Sequence, residues 1–212
     1  DGRGNRVCVK GASVHVLILG AAGMIGRKLT ARLVGDGNVG GSAVERLTLA
    51  DVVPPQRPAG AAGQVELVAS DLAAPGEAGR LVEARPGLIF HLVAVVSGEA
   101  EADFEKGYEV NLDGTRALLE AVRAAHAADG YCPRLVFTSS IAVYGAPLPN
   151  PIPEDFQETP LTSYGTQKAI GELLLADYTR RGFVDGIGIR LPTICIRPGK
   201  PNKAASGFFS NI

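Results

Sequence analysis

Val14-His15-Val16-Leu17-Ile18-Leu19-Gly20-Ala21-Ala22-Gly23-Met24-Ile25-Gly26 is the stretch that decides the fold. Val14 to Leu19 is a short, nearly continuous apolar run, the pattern of a strand buried on both faces in a parallel sheet. It runs directly into glycines spaced G-x-x-G-x-x-G. Arg27 to Val34 then reads as a helix, with Ile25, Leu29 and Leu33 on one stripe. Strand, glycine turn and helix together present free backbone N–H groups to a pyrophosphate. Gly20 would permit the tight turn, Gly23 would let phosphates approach the backbone, and Gly26 would let the helix lie close to the strand. Met24 and Ile25 fall in the same turn.

Glu45 to Asp51 reads as a second strand ending in an acid, 25 positions after Gly26. A carboxylate there accepts hydrogen bonds from ribose hydroxyls and repels a 2′-phosphate, so NAD is expected over NADP.

Tyr164 and Lys168 stand four residues apart in Thr162-Ser163-Tyr164-Gly165-Thr166-Gln167-Lys168. On a helix that spacing puts a phenol and an ammonium on one face. A fixed positive charge favours the phenolate. A tyrosine so placed can take a proton from an alcohol near neutral pH. Alone the pair is unspecific; the glycine turn and Asp51 give it a context.

The chain has 212 residues, 46% of them hydrophobic, enough for one sizeable core. Net charge is −1, with no basic stripe, which argues against nucleic acid as a partner. No apolar run approaches the ~20 residues of a membrane span. Residues 1–13 carry Arg3, Arg6 and Lys10 without an apolar segment and read as a flexible leader. Cys8, Cys132 and Cys195 are odd in number and widely spaced, and His15, His91 and His126 are isolated. Neither a disulfide framework nor a metal site is indicated, and a reduced cytoplasm is expected.

Strands and helices alternate along the chain, the pattern of a parallel sheet covered on both faces. Further strands are read at Val65–Ala69, Leu88–Val93, Arg134–Phe137 and Ile187–Leu191. Helices are read at Gly76–Ala84, from Asp103 to about Ala128, and at Leu161–Arg181. Ser97 to Glu101 and the proline-rich Gly145 to Pro160 read as loops. The expected fold is a Rossmann-type, doubly wound α/β sheet with strand order 3-2-1-4-5-6 over residues 14–192. Residues 193–212 would begin a substrate-binding segment.

These motifs resemble the extended short-chain dehydrogenase/reductase family, the NAD-dependent epimerases and dehydratases. The matching stretches are the glycine turn, Asp51, Asp71-Leu72, His91-Leu92-Val93-Ala94, Asn111-Leu112-Asp113-Gly114-Thr115, Phe137 to Gly145, and Tyr164 to Lys168. The resemblance implies NAD as cofactor. It implies Tyr164 as general acid/base and Lys168 as the residue that lowers its pKa and holds the nicotinamide ribose. Ser140 is implied to orient the reacting oxygen, with Ser139 a competitor for that role. Asn111 would shape the helix and proton relay behind the site. Asp71 and Leu72 would meet the adenine, Leu92 and Ala94 the cofactor's length, and Pro192 the nicotinamide side. Val93 departs from the small residue usual in the family and is expected to crowd the adenosine side slightly.

Within the family, Val95 to Phe104 and the tail from Arg190 to Ser210 resemble dehydrogenases of four-carbon sugar acids. That implies a small sugar acid as substrate, touching Ser97, Ser139, Ser140, Tyr164, Thr193, Arg197 and Lys200. The alternatives are a nucleotide-sugar epimerase or dehydratase, and a truncated NAD-binding protein without turnover. Family resemblance also implies a homodimer through a four-helix contact, by helices near residues 103–128 and 161–181.

Overall fold

The computed structural model describes residues 13–61 and 63–194. In chain order the strands are β1 (Ser13–Leu19), β2 (Asn38–Val39), β3 (Ser42–Asp51), β4 (Gln64–Ala69), β5 (Leu88–His91), β6 (Arg134–Ser140) and β7 (Asp185–Leu191). The helices are α1 (Met24–Asp36), α2 (Glu77–Glu83), α3 (Ser97–Ala102), α4 (Phe104–Tyr108), α5 (Gly114–Asp129) and α6 (Ser163–Arg180). Six strands pair in parallel in the order β4-β3-β1-β5-β6-β7, the doubly wound order expected.

Strand β1 lies at the centre and serves both layers. Its side chains alternate between faces, as a pleated strand requires. Leu17 and Leu19 join the core under α2, α5 and α6, with Leu118, Leu119, Val122 and Phe137. Val16 and Ile18 join the core under α1, with Leu33, Leu47 and Leu49. Val16, Leu17 and Ile18 are wholly buried. That explains the unbroken apolar run that the sequence carries there.

Three features differ from the sequence expectation. Strand β2 was not foreseen. It pairs antiparallel with the start of β3 across Gly40 and Gly41, whose φ angles are +57° and +85°. A two-residue hairpin needs positive φ at both central positions, which glycine adopts without strain. The segment read as a loop after β5 holds α3. Its side chains are small or acidic and show little apolar periodicity. Tertiary contact makes the helix: Ala100 is wholly buried, and Glu101 accepts the Ser163 N–H at the start of α6. The long helix read from Asp103 is interrupted at Glu109–Asp113 by a π-helical turn, where the Gly114 N–H bonds Glu109 O.

Candidate functional site

The carboxyl ends of β1 and β3 fix the glycine turn. Gly20 N–H and Ala21 N–H both donate to Ala50 O, at 2.9 and 3.1 Å. Asp51 Oδ2 accepts the Ala22 N–H at 2.9 Å, and its Oδ1 accepts from Val53 N–H at 3.2 Å. Asp51 therefore holds the turn in place, a task that sequence spacing did not suggest. Gly20 adopts φ +86°, and a Cβ there would lie 2.9 Å from Leu92 C. A Cβ on Gly26 would stand 2.2 Å from Gly20 O and 2.7 Å from Ala21 Cα. No side chain caps the amino end of α1. Its first-turn N–H groups carry the positive end of the helix dipole.

Gly26→Ala should cost about 1–3 kcal/mol of stability through overpacking against the turn, and should weaken dinucleotide binding at least tenfold. Urea denaturation and titration with NAD check this. Unchanged binding would mean that the close approach of α1 to the turn is unimportant.

A cleft of about 580 Å³ runs from this turn across the ends of β5, β6 and β7. Gly20, Gly23, Met24, Ile25 and Gly26 line one part of it. Leu92, Ala94 and Ser97 line another, and Ser139, Ser140, Tyr164, Lys168, Pro192 and Thr193 the rest. Residues far apart in the chain are thus gathered at one crevice. Asp51, Asp71, Leu72 and Asn111 do not line it. Asp71 is exposed and accepts the Ala73 N–H at 3.0 Å, while Leu72 packs into the core. Val93 also packs against the core and is absent from the cleft wall. Arg197 and Lys200 lie outside the described residues, as does the leader up to residue 12.

Helix α6 carries the phenol and ammonium. Thr162 caps it, its Oγ1 accepting the Gly165 N–H at 3.0 Å. Gly165 lies so close to the turn after β6 that a Cβ would meet Ala142 O at 2.2 Å. The side chain of Lys168 reaches inward. It is 1% exposed, and its Nζ donates to Thr138 O at 2.8 Å. The same Nζ lies 5.8 Å from the centre of the Tyr164 ring and 4.8 Å from that of Phe137. Burial pushes the Lys168 ammonium down to about 8. An anion formed beside it restores the charge, because opposite charges favour each other's ionised form.

Strand β6 separates the two serines. Burial alternates along it, and Ser139, 2% exposed, shares its face with Phe137 and Leu135. The Ser139 hydroxyl faces Glu172 of α6. Ser140 points the other way, its Oγ accepting the Ala142 N–H at 3.1 Å, which leaves its own proton to donate. Glu172 in turn binds Arg190 of β7 at 2.7 Å, and Arg190 also contacts Glu158 and the Tyr144 hydroxyl. This ionic cluster clamps β7, α6 and the proline-rich loop beside the cleft. Sequence reasoning missed it, because its members are spread over 47 positions and share no motif.

Behind the cleft, Asn111 is 1% exposed. Its Oδ1 accepts the Val95 N–H at 2.7 Å and its Nδ2 donates to Val95 O at 3.1 Å. His91 is buried, with Nε2 2.8 Å from Thr115 Oγ1. Burial, and then the Lys168 charge, push His91 down to about 3. Among the described residues, no group of three His, Cys, Asp or Glu side chains could hold a metal ion. Among them, too, no helix is long and apolar enough to cross a membrane. Cys132 is disulfide-bonded, where the cysteine spacing had indicated no disulfide framework.

The family model described as "NAD dependent epimerase/dehydratase family" matches residues 16–212. The chain belongs to this family. Proteins similar to this chain include both dehydrogenases and epimerases. A D-erythronate dehydrogenase of Cupriavidus necator is 52% identical over 203 residues, which cover 94% of this chain and 61% of that protein. A solved structure named nucleoside-diphosphate-sugar epimerase, from Agrobacterium tumefaciens, is 71% identical with a TM-score of 0.91. It covers 94% of this chain and 58% of its own. A UDP-glucose 4-epimerase of Brucella ovis, solved in complex with NAD, is 29% identical with a TM-score of 0.69, over 84% of this chain and 51% of its own. The chain therefore spans about three fifths of the length of the first two relatives. NAD is the cofactor of the family.

Proposed function

We propose that this chain is the NAD-binding and catalytic part of a dehydrogenase that oxidises the C2 hydroxyl of a sugar acid such as D-erythronate to the 2-keto acid. The observation that carries the reading is the single cleft, which joins the uncapped start of α1 to Ser140, Tyr164 and Lys168. Its support in kind is the 52% identity to a D-erythronate dehydrogenase. Residues 14–192 would form the NAD domain, and 193–212 the start of the substrate segment.

The glycine turn fits a dinucleotide diphosphate. Backbone N–H groups without a side-chain cap, at a helix start too tight for a Cβ at Gly26, are suited to phosphate oxygens. Asp51, at the end of β3, suits the ribose hydroxyls, while the main chain at Leu92 and Ala94 and the ring of Pro192 would flank the cofactor. NAD bound there supplies the acceptor for the hydride that leaves C2.

Tyr164, as phenolate, takes the proton of the C2 hydroxyl. Lys168 stabilises that phenolate and binds the nearby ribose. Ser140 donates its hydrogen bond to the reacting oxygen, because it is the serine of the pair that β6 turns away from Glu172. Asn111 acts from behind, through the Val95 main chain. Ser97 and Thr193, with Arg197 and Lys200 beyond the described residues, are the proposed holders of the sugar acid. Asp71 and Leu72 would serve the adenine through local turn geometry and packing.

A second reading, nucleotide-sugar epimerisation, has one specific support: the 71% identical structure carries an epimerase name. The deciding experiment offers the full-length protein a panel of four-carbon and related sugar acids, and UDP-sugars, with NAD or NADP. Reduced-cofactor absorbance and product analysis are the readouts. Formation of NADH from D-erythronate or a close sugar acid is expected. Epimerised UDP-sugar with no sugar-acid oxidation would overturn the reading. We also propose a homodimer through the helices near 103–128 and 161–181, where Leu173 on α6 is 68% exposed. The proposed compartment is the cytoplasm.

A further inference from the structure

Gln167 precedes the ammonium-bearing Lys168 and is wholly buried. Its Oε1 accepts a hydrogen bond from Asn111 Nδ2 at 2.7 Å. The orientation of both amides follows from the main chain. Val95 N–H needs an acceptor, so Asn111 presents Oδ1 to it. Asn111 Nδ2 then faces Val95 O and Gln167, and Gln167 must offer its oxygen. The Gln167 Nε2 is left buried with no hydrogen-bond partner. A buried polar group in that state weakens a fold, and one that persists calls for a reason beyond stability.

The position of Asn111 depends on the π-helical turn at Glu109–Asp113. Such turns place one extra residue in a helix and often occur at functional sites. The Asn111 main-chain O accepts the Thr115 hydroxyl at 2.7 Å. Opposite, Gly107 makes room: a Cβ there would stand 2.9 Å from Gln167 Nε2. A continuous path results. It runs from the cleft wall at Val96 and Ser97, through the Val95 main chain and Asn111, to Gln167 on the helix that carries Tyr164 and Lys168.

We propose that Gln167 is a positioning residue that fixes the wall formed by Val96 and Ser97 in register with Tyr164 and Lys168. It touches neither cofactor nor substrate; it acts through Asn111. The inference rests on the proposed dehydrogenase reading for its effect on turnover, but not for its effect on the protein itself.

The test uses Gln167→Met in the full-length protein, which keeps the side-chain length and removes the acceptor. Amide hydrogen exchange in the segment around Val95 should quicken at least tenfold, with the melting temperature unchanged or raised. On a sugar acid that the wild type oxidises, kcat should fall about tenfold while the Kd for NAD stays within twofold. Gly107→Ala displaces the same amide, so the double variant should lose no more turnover than the worse single one. Unchanged exchange around Val95 overturns the proposal. So does a fall in kcat matched by a fall in melting temperature, because the side chain is then merely structural. Additive losses in the double variant overturn it as well. A wild type that binds NAD but oxidises no sugar acid refutes the proposed reaction alone, and the exchange measurement then decides the role of Gln167.

Discussion

Tyr164→Phe is expected to bind NAD with a Kd within about twofold of the wild type, and to lose turnover by about 10²–10⁴-fold, the share usual for a positioned acid or base. The ring stays, so the packing of the first turn of α6 stays with it. Thr162 still caps the helix, and Gly165 still meets the Ala142 turn. What goes is the oxygen that would receive the substrate proton, and the Ser140 hydroxyl in the same cleft already accepts the Ala142 N–H. The expected loss corresponds to roughly 3–5 kcal/mol of barrier. Cofactor titration and NADH formation, measured on one preparation, separate binding from chemistry. Turnover near the wild-type rate would remove Tyr164 from the reaction.

Lys168→Met should abolish most turnover, by about 10²-fold or more, and at the same time make the protein more stable at pH 7. The ammonium is 1% exposed, and burial lowers it from 10.5 to about 8. The unfolded chain therefore holds that proton more tightly than the folded one. At pH 7 the cost to folding is about 3 kcal/mol. Losing the bond to Thr138 O gives back about 1 kcal/mol. The net gain from the substitution is then about 2 kcal/mol. Between pH 8 and 10.5 the unfolded wild type binds more protons than the folded one, so wild-type stability rises through that window and the advantage of the variant shrinks. Urea denaturation at pH 7 and pH 10 measures both. A variant that is less stable at pH 7, by an amount independent of pH, would show that the buried charge carries no penalty.

The fold was legible because its decisive signals are local. The apolar run of β1, the glycines that follow and the acid at the end of β3 each state their structure within a few residues. The Tyr164–Lys168 spacing was equally readable, and one helix does bring the two side chains to one crevice. The misses have another origin. Helix α3 forms from Ser97-Gly98-Glu99-Ala100-Glu101-Ala102, a stretch with no apolar stripe, because Ala100 is buried by its neighbours and Glu101 reaches across to α6. The π-helical turn is invisible in the periodicity of a helix that continues on both sides. Arg190, Glu172, Glu158 and Tyr144 meet only after β7 and α6 have packed, so no window of sequence contains them together. Ser139 and Ser140 could be separated only by knowing which face of β6 met α6. Asp51 was chosen for its distance from the glycines, but its hold on the Ala22 N–H required the turn itself.

That hold has a practical consequence for anyone wishing to make the protein accept a different coenzyme. The obvious edit, exchanging the acid at position 51 for a neutral or basic residue, would also cut a strut of the loop that cradles the diphosphate. Preference and affinity are coupled through one carboxylate. A successful redesign must supply a new brace for Ala22 before it alters the charge.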